Sequence, residues 1–114
     1  MKIYLSGPIS SDPQYKAHFR MFKDYLASIV GDNITVINPA EMDDDNKSWP
    51  NWIIHDLEIL NTCDILVTLP GYKMSVGANI EMLFAKGAKL KIMNIYELVD
   101  WYYSTINGGT NECN

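Results

Sequence analysis

Asp64-Ile-Leu-Val-Thr-Leu-Pro-Gly-Tyr-Lys-Met-Ser-Val-Gly-Ala-Asn-Ile-Glu81 decides the fold. Ile65 to Leu69 is a short apolar run, rich in β-branched residues and stopped by Pro70-Gly71, as expected of a strand covered on both faces. Ser75 is a good N-cap, and the helix expected after it carries Val76, Ile80, Leu83, Phe84 and Ala85 as far as Gly87. Glu81 lies too far along to close a capping box with Ser75. Helical side chains lean toward the N-terminus, so its carboxylate is expected over the bare backbone of Gly77, at the sheet edge where open α/β folds take ligands. The plain alternative is a surface glutamate beside a glycine used for close helix–sheet packing.

Working outward, Lys2 to Ser6 reads as the first strand, with Ile3 and Leu5 on one face and Tyr4 on the other. The loop Ser6-Gly-Pro-Ile-Ser-Ser-Asp-Pro13 is dense in turn residues and can offer amides and hydroxyls to an anion. It is neither a GxGxxG nor a Walker loop. Asp12 and Pro13 are expected as N-cap and first residue of a helix from Gln14 to about Val30, whose stripe of Tyr15, Phe19, Phe22, Leu26, Ile29 and Val30 reads as core. Ile34 to Ile37 is the second strand. The acidic run Glu41 to Ser48 reads as a solvated or substrate-covering loop, since consecutive acids without a turn glycine do not make a calcium site.

Ser48-Trp-Pro50 caps a helix over Asn51 to Asn61, with Ile53, Leu57 and Leu60 as its core stripe and Ile54 widening it. Asp56 falls on the border of that apolar face, where an acid is costly unless it is hydrogen-bonded or kept protonated for use. His55 and Glu58 fall on the solvent side. A fourth strand is expected at Lys89 to Met93 and an amphipathic helix at Tyr96 to Ile106. Trp101, Tyr102, Tyr103 and Ile106 there pack on the sheet or dock on another subunit. The expected organisation is one domain over 1–106 and a flexible tail over 107–114.

Composition bounds the function. The 114 residues are 47% hydrophobic and 20% charged, the balance of one soluble globular domain. Net charge is −5 and Arg20 is the lone arginine, which argues against binding duplex nucleic acid. No apolar run approaches the roughly 18 residues of a membrane span, and Met1-Lys2-Ile3 leads into a strand with no signal-peptide pattern. Cys63 and Cys113 lack metal-ligand spacing; Cys63 reads as an inert core thiol in a reduced, cytoplasmic setting. No cofactor and no metal are expected.

The alternation β-α-β-α-β-α-β-α with right-handed crossovers gives a doubly wound, flavodoxin- or Rossmann-like parallel sheet of four or five strands, order 2-1-3-4. The loops after the first and third strands are then neighbours. Ser6 to Ser10 and Ser75 to Glu81 line one crevice, with the Asp56 helix leading into the third strand.

Tyr4-Leu-Ser-Gly-Pro-Ile-Ser10, His-Asp56-Leu, Cys-Asp64-Ile-Leu-Val and Ser75-x-Gly-x-x-x-Glu81 together resemble the nucleoside 2-deoxyribosyltransferase superfamily. Its nucleoside 5′-monophosphate N-glycosidase branch and small phage-associated members are the nearest in pattern. The resemblance runs over about residues 1 to 93. It implies Glu81 as the nucleophile at the anomeric carbon, Asp56 as the acid that protonates the leaving base, and Tyr4 as the residue that positions Glu81. It also implies a substrate loop of Ser6, Gly7, Pro8, Ile9 and Ser10 facing Ser75 and Gly77, and a homodimer or higher homo-oligomer. Serine at 75, where the transferases carry an acid, implies a nucleotide over a nucleoside and hydrolysis over base exchange. The first loop departs from the hydrolase pattern: Pro8 and Ser10 stand where a serine and an arginine are expected, with Lys73 on the adjacent turn as the compensating charge.

Overall fold

Tyr4 and Leu66 pair side by side at the centre of a parallel sheet whose every strand alternates faces. A computed structural model describes residues 1–9, 11–42 and 48–106. Four strands, β1 (Lys2–Ser6), β2 (Thr35–Ile37), β3 (Ile65–Thr68) and β4 (Lys91–Asn94), alternate with four helices. These are α1 (Tyr15–Ala27), α2 (Trp49–Leu60), α3 (Val76–Gly87) and α4 (Ile95–Ile106). The sheet order is β2-β1-β3-β4, all parallel, as the sequence pattern requires. The acidic run at 43–47, Ser10 and the tail at 107–114 lie outside the described residues.

Alternation divides the core in two. Ile3, Leu5, Ile65, Val67 and Met93 face α1 and α4, where Phe19, Leu26 and Leu98 close the layer. Tyr4, Leu66 and Cys63 face α2 and α3, against Leu60 and Ala85. Each fully buried aliphatic or phenyl side chain contributes roughly 1.5–3 kcal/mol by leaving water. All four residues of β3 are buried, which is why its sequence shows a continuous apolar run. Polar contacts pin the start of the central strands and the turn before β2. Asp64 Oδ2 accepts from the Lys2 amide at 2.8 Å, and the Tyr102 hydroxyl accepts from the Gly31 amide at 2.9 Å. Tyr102 and Trp101 therefore fold onto the domain, while Tyr103 and Ile106 stay exposed.

Several expectations are corrected. Helix α1 begins at Tyr15, so Pro13 is outside it. Asp12 accepts from the Gln14 amide at 2.9 Å and shapes the turn before the helix, with no side-chain bond at the Gln14 cap. Ile54, Val76 and Leu83 point to solvent, since the sheet covers only one side of α2 and α3. His55 is half-buried, not on the solvent side with Glu58. The helix starting at Ile95 is closed by a reciprocal box: Asn94 Oδ1 accepts from Glu97 N at 2.8 Å, and Asn94 N donates to Glu97 Oε1 at 2.9 Å.

Gly87 does not supply the left-handed residue that ends α3. Lys89 does, at φ 60°, with Leu90 N donating to Ala85 O at 2.9 Å and Lys89 N to Lys86 O at 3.2 Å. This is a Schellman closure with a side chain where glycine is favoured, and β4 consequently starts only at Lys91. Lys89→Gly is expected to raise stability by about 0.5–1 kcal/mol, the relieved left-handed strain less the extra freedom glycine gives the unfolded chain. Urea denaturation at neutral pH checks it.

Candidate active site

Ser75 sits in extended backbone (φ −107°, ψ 122°) and its Oγ accepts from the Ala78 amide at 3.2 Å, starting α3 where the sequence places it. The Pro-Gly turn before it needs Gly71, whose φ is 84°. Helix α3 then carries Glu81 inward, 5% exposed, against the strand that holds Tyr4 and Ser6. Those two are two residues apart on β1 and so share a face. The Tyr4 hydroxyl donates to Glu81 Oε2, and Ser6 Oγ donates to Oε1 at 2.8 Å. Glu81 is thus neither a surface glutamate nor a residue lying idle over Gly77: both its oxygens are held by the central strand.

A hollow of about 100 Å³ opens beside this carboxylate. Asp56, Glu81, Ser75 and Gly77 line it together with Gly7 and Ile9 of the first loop. Two of the described residues predicted for the substrate loop do not line it. Ser6 is buried beneath, where it serves the Glu81 carboxylate, and Pro8 turns to the other side of its loop. Ser10 lies outside the described residues. Gly7 is needed for close approach: a Cβ there would stand 2.9 Å from Leu69 Cβ, so the loop could not fold down on the end of β3. Gly77 admits a neighbour as well, but the neighbour is a helix. A Cβ there would make an ordinary contact with Ile53 Cδ1 at 3.4 Å, so the position faces α2 rather than the sheet.

Trp52 and Ile53 also line the hollow, and the motif reading assigned them no role. The signal was available. Trp52 is one turn before Asp56, hence on the same helical face. Lys73, expected to compensate for a missing arginine, lines different hollows with Tyr72 and Asn94. Among the described residues, the carboxylate hollow is lined by two acids and no lysine or arginine. No group of three or more metal-ligating side chains occurs among them, and no described helix is long and apolar enough to cross a membrane.

The electrostatics follow from burial. Glu81 is pushed up to about 7 by desolvation, partly offset by the hydrogen bonds from Tyr4 and Ser6; the negative charge of Asp56 adds to the rise. Tyr4 is held well above its ordinary value by burial and then by the charges of Glu81 and Asp56, so it remains a donor at neutral pH. Cys63 is raised chiefly by burial, consistent with an unreactive core thiol.

The doubly wound fold of this chain recurs among known proteins. It is similar to a solved structure titled "2-desoxiribosyltransferase from Leishmania mexicana", with a TM-score of 0.60 and 16% identity. That match covers 82% of this chain and 62% of the other, so the chain spans about three fifths of that protein's length. Residues 1–94 match the family model described as a domain of unknown function, DUF4406, and the chain belongs to that family. No match was found among curated proteins.

The pKa of Glu81 has a measurable consequence for stability. A carboxyl group raised on folding favours the folded state fully below its unfolded value near 4.5, and that advantage is lost as pH rises toward about 7. The change is on the order of 3 kcal/mol at full ionisation. Glu81→Gln should therefore match the parent near pH 4.5 and exceed it by up to that amount at pH 8, read by denaturant titration at the two pH values.

Proposed function

We propose that the protein cleaves the N-glycosidic bond of a (deoxy)nucleoside or its 5′-monophosphate, with Glu81 as nucleophile and Asp56 as general acid. The observation that carries this reading is the Glu81 carboxylate, buried and held at both oxygens by Tyr4 and Ser6, in one small hollow with Asp56. Two hydroxyl donors on one carboxylate suit its ionised form, which accepts at both oxygens.

The chemistry runs as a double displacement. A Glu81 oxygen bonds to the anomeric carbon as the C–N bond breaks. The electron pair goes to the base nitrogen, which takes a proton from Asp56. Water, or a second free base, then attacks the glycosyl ester, with the Asp56 carboxylate accepting the proton. Glu81 is released unchanged and configuration is retained. Trp52 and Ile9, apolar walls on the Asp56 side, would contact the leaving base and keep water from the ester.

Serine at 75 and the helix N-terminus behind it are compatible with a 5′-phosphate. The lining supports the free nucleoside instead, because two acids and no cation face whatever enters, and Lys73 is turned to another hollow. A second base as acceptor gains support from the name of the structural relative, a deoxyribosyltransferase. Self-association belongs to the same proposal: Val76 and Leu83 expose apolar surface on the helix that bears Glu81. A non-catalytic nucleotide-binding module on this fold is the rival from another class, and Glu81 discriminates between them.

Incubation with a panel of nucleosides and 5′-monophosphates, each with and without a second base, separates these branches by chromatography. Free base should be released from at least one nucleoside, with kcat/KM rising through pH 7 as Glu81 ionises. Glu81→Gln should abolish turnover while retaining ligand binding, and Asp56→Asn should lower kcat by about 10²–10⁴. Turnover unchanged in Glu81→Gln would remove the catalytic assignment.

A further inference from the structure

The loop after β1 has two sides. Gly7 and Ile9 line the carboxylate hollow, whereas Pro8 between them lines a second and larger one of about 570 Å³, on the α1 side of the sheet edge. That volume is within the range of small-molecule sites. Its walls are apolar: Phe19 and Phe22 from α1, Leu69 and Pro70 from the end of β3. At its mouth stand two exposed thioethers, Met21 at 54% and Met74 at 80%. Unbranched and polarizable, methionine side chains adapt to flat ring faces.

The polar edge of this hollow is Ser11 together with the Asp12–His18 pair. His18 Nδ1 and Asp12 Oδ2 are 2.6 Å apart, and the other Asp12 oxygen accepts from the Gln14 amide. With the carboxylate accepting, Nδ1 carries the hydrogen of this pair. The hydrogen bond from His18, and after it the one from Gln14, hold Asp12 below its ordinary value, so it is ionised at neutral pH. No lysine or arginine is among the described residues that line the hollow. The edge therefore offers acceptors and negative charge. It selects ligands with N–H donors and disfavours anions.

We propose that this hollow binds a free nucleobase, a neutral planar heterocycle whose N–H edge meets the Asp12–His18 pair and whose ring lies among Phe22, Met21 and Met74. The site itself rests on the hollow and its edge. The identity of its occupant rests on the glycosidic reaction proposed above, of which a free base is the product or the acceptor. A base held here lies across one loop from the ester-forming carboxylate, and Pro8 is the residue that both contacts it and borders the catalytic loop.

The test uses the full chain labelled with [methyl-13C]methionine, the Met21 and Met74 signals being assigned through Met21→Leu and Met74→Leu. Adenine, cytosine, uracil and hypoxanthine are titrated separately, with benzoate as a flat anion. At least one base should shift both methyls upfield and saturably, whereas benzoate should not. Asp12→Asn should weaken that binding about tenfold, the size expected for a hydrogen bond to a charged group. Met74→Glu, at an exposed position, should weaken base binding as read at the Met21 methyl, because the thioether that lies against the ring is lost, and this keeps the test intact should Asp12→Asn unfold. Glu81→Gln should leave the shifts unchanged. Absence of saturable shifts with every base, equal shifts with benzoate, or loss of the shifts in Glu81→Gln would each overturn the proposal. Shifts without turnover would uphold the site and remove the glycosidic reading alone; turnover without shifts would do the reverse.

Discussion

A carboxylate almost wholly withdrawn from water must be supplied with hydrogen bonds, and Glu81 takes both of its donors from one strand. The central position of β1 makes this possible. Tyr4 and Ser6 project from the same face two residues apart, beneath the helix that starts at Ser75. Their hydroxyls offset part of the desolvation of the acid but not all of it, which leaves its ionisation near neutrality. The remaining geometry brings that acid to an opening: Gly7 lets the first loop settle on Leu69, and α2 carries Asp56 to the same hollow.

Two acids facing one small hollow influence each other. The charge on Asp56 raises Glu81 further, so the state in which one is ionised and the other protonated is favoured over the doubly charged one. That coupling keeps a proton on the pair up to about neutral pH. It also explains why the lining tolerates no further negative charge without a cation to offset it.

Much of this was readable in the residues, and the failures share a cause. The strand order and the Ser75 cap came from periodicity and turn chemistry, whereas the Tyr4–Glu81 pairing came only through the resemblance to a known family. Ser6 was misassigned because the sequence shows its position on the strand and not that a carboxylate would descend onto it. The alternative for Gly77 was packing of helix on sheet, and the neighbour it meets, Ile53, lies on another helix. Val76 and Leu83 look like core in a helical wheel, yet a four-stranded sheet leaves the outer side of α3 uncovered. Lys89 ends α3 in a conformation that composition assigns to the glycine two residues earlier. In each case a long-range contact overrode a sound local preference.

The claim on which all else turns is that Glu81 forms a covalent bond to a sugar. Intact and peptide mass spectrometry after incubation with a 2-fluoro-substituted nucleoside, whose electron-poor anomeric carbon slows release of the ester, tests it directly. The account predicts a stoichiometric glycosyl adduct on the peptide containing Glu81, absent from Glu81→Gln. An adduct on another residue, or release of base from a natural nucleoside with no adduct trapped under any condition, would contradict it.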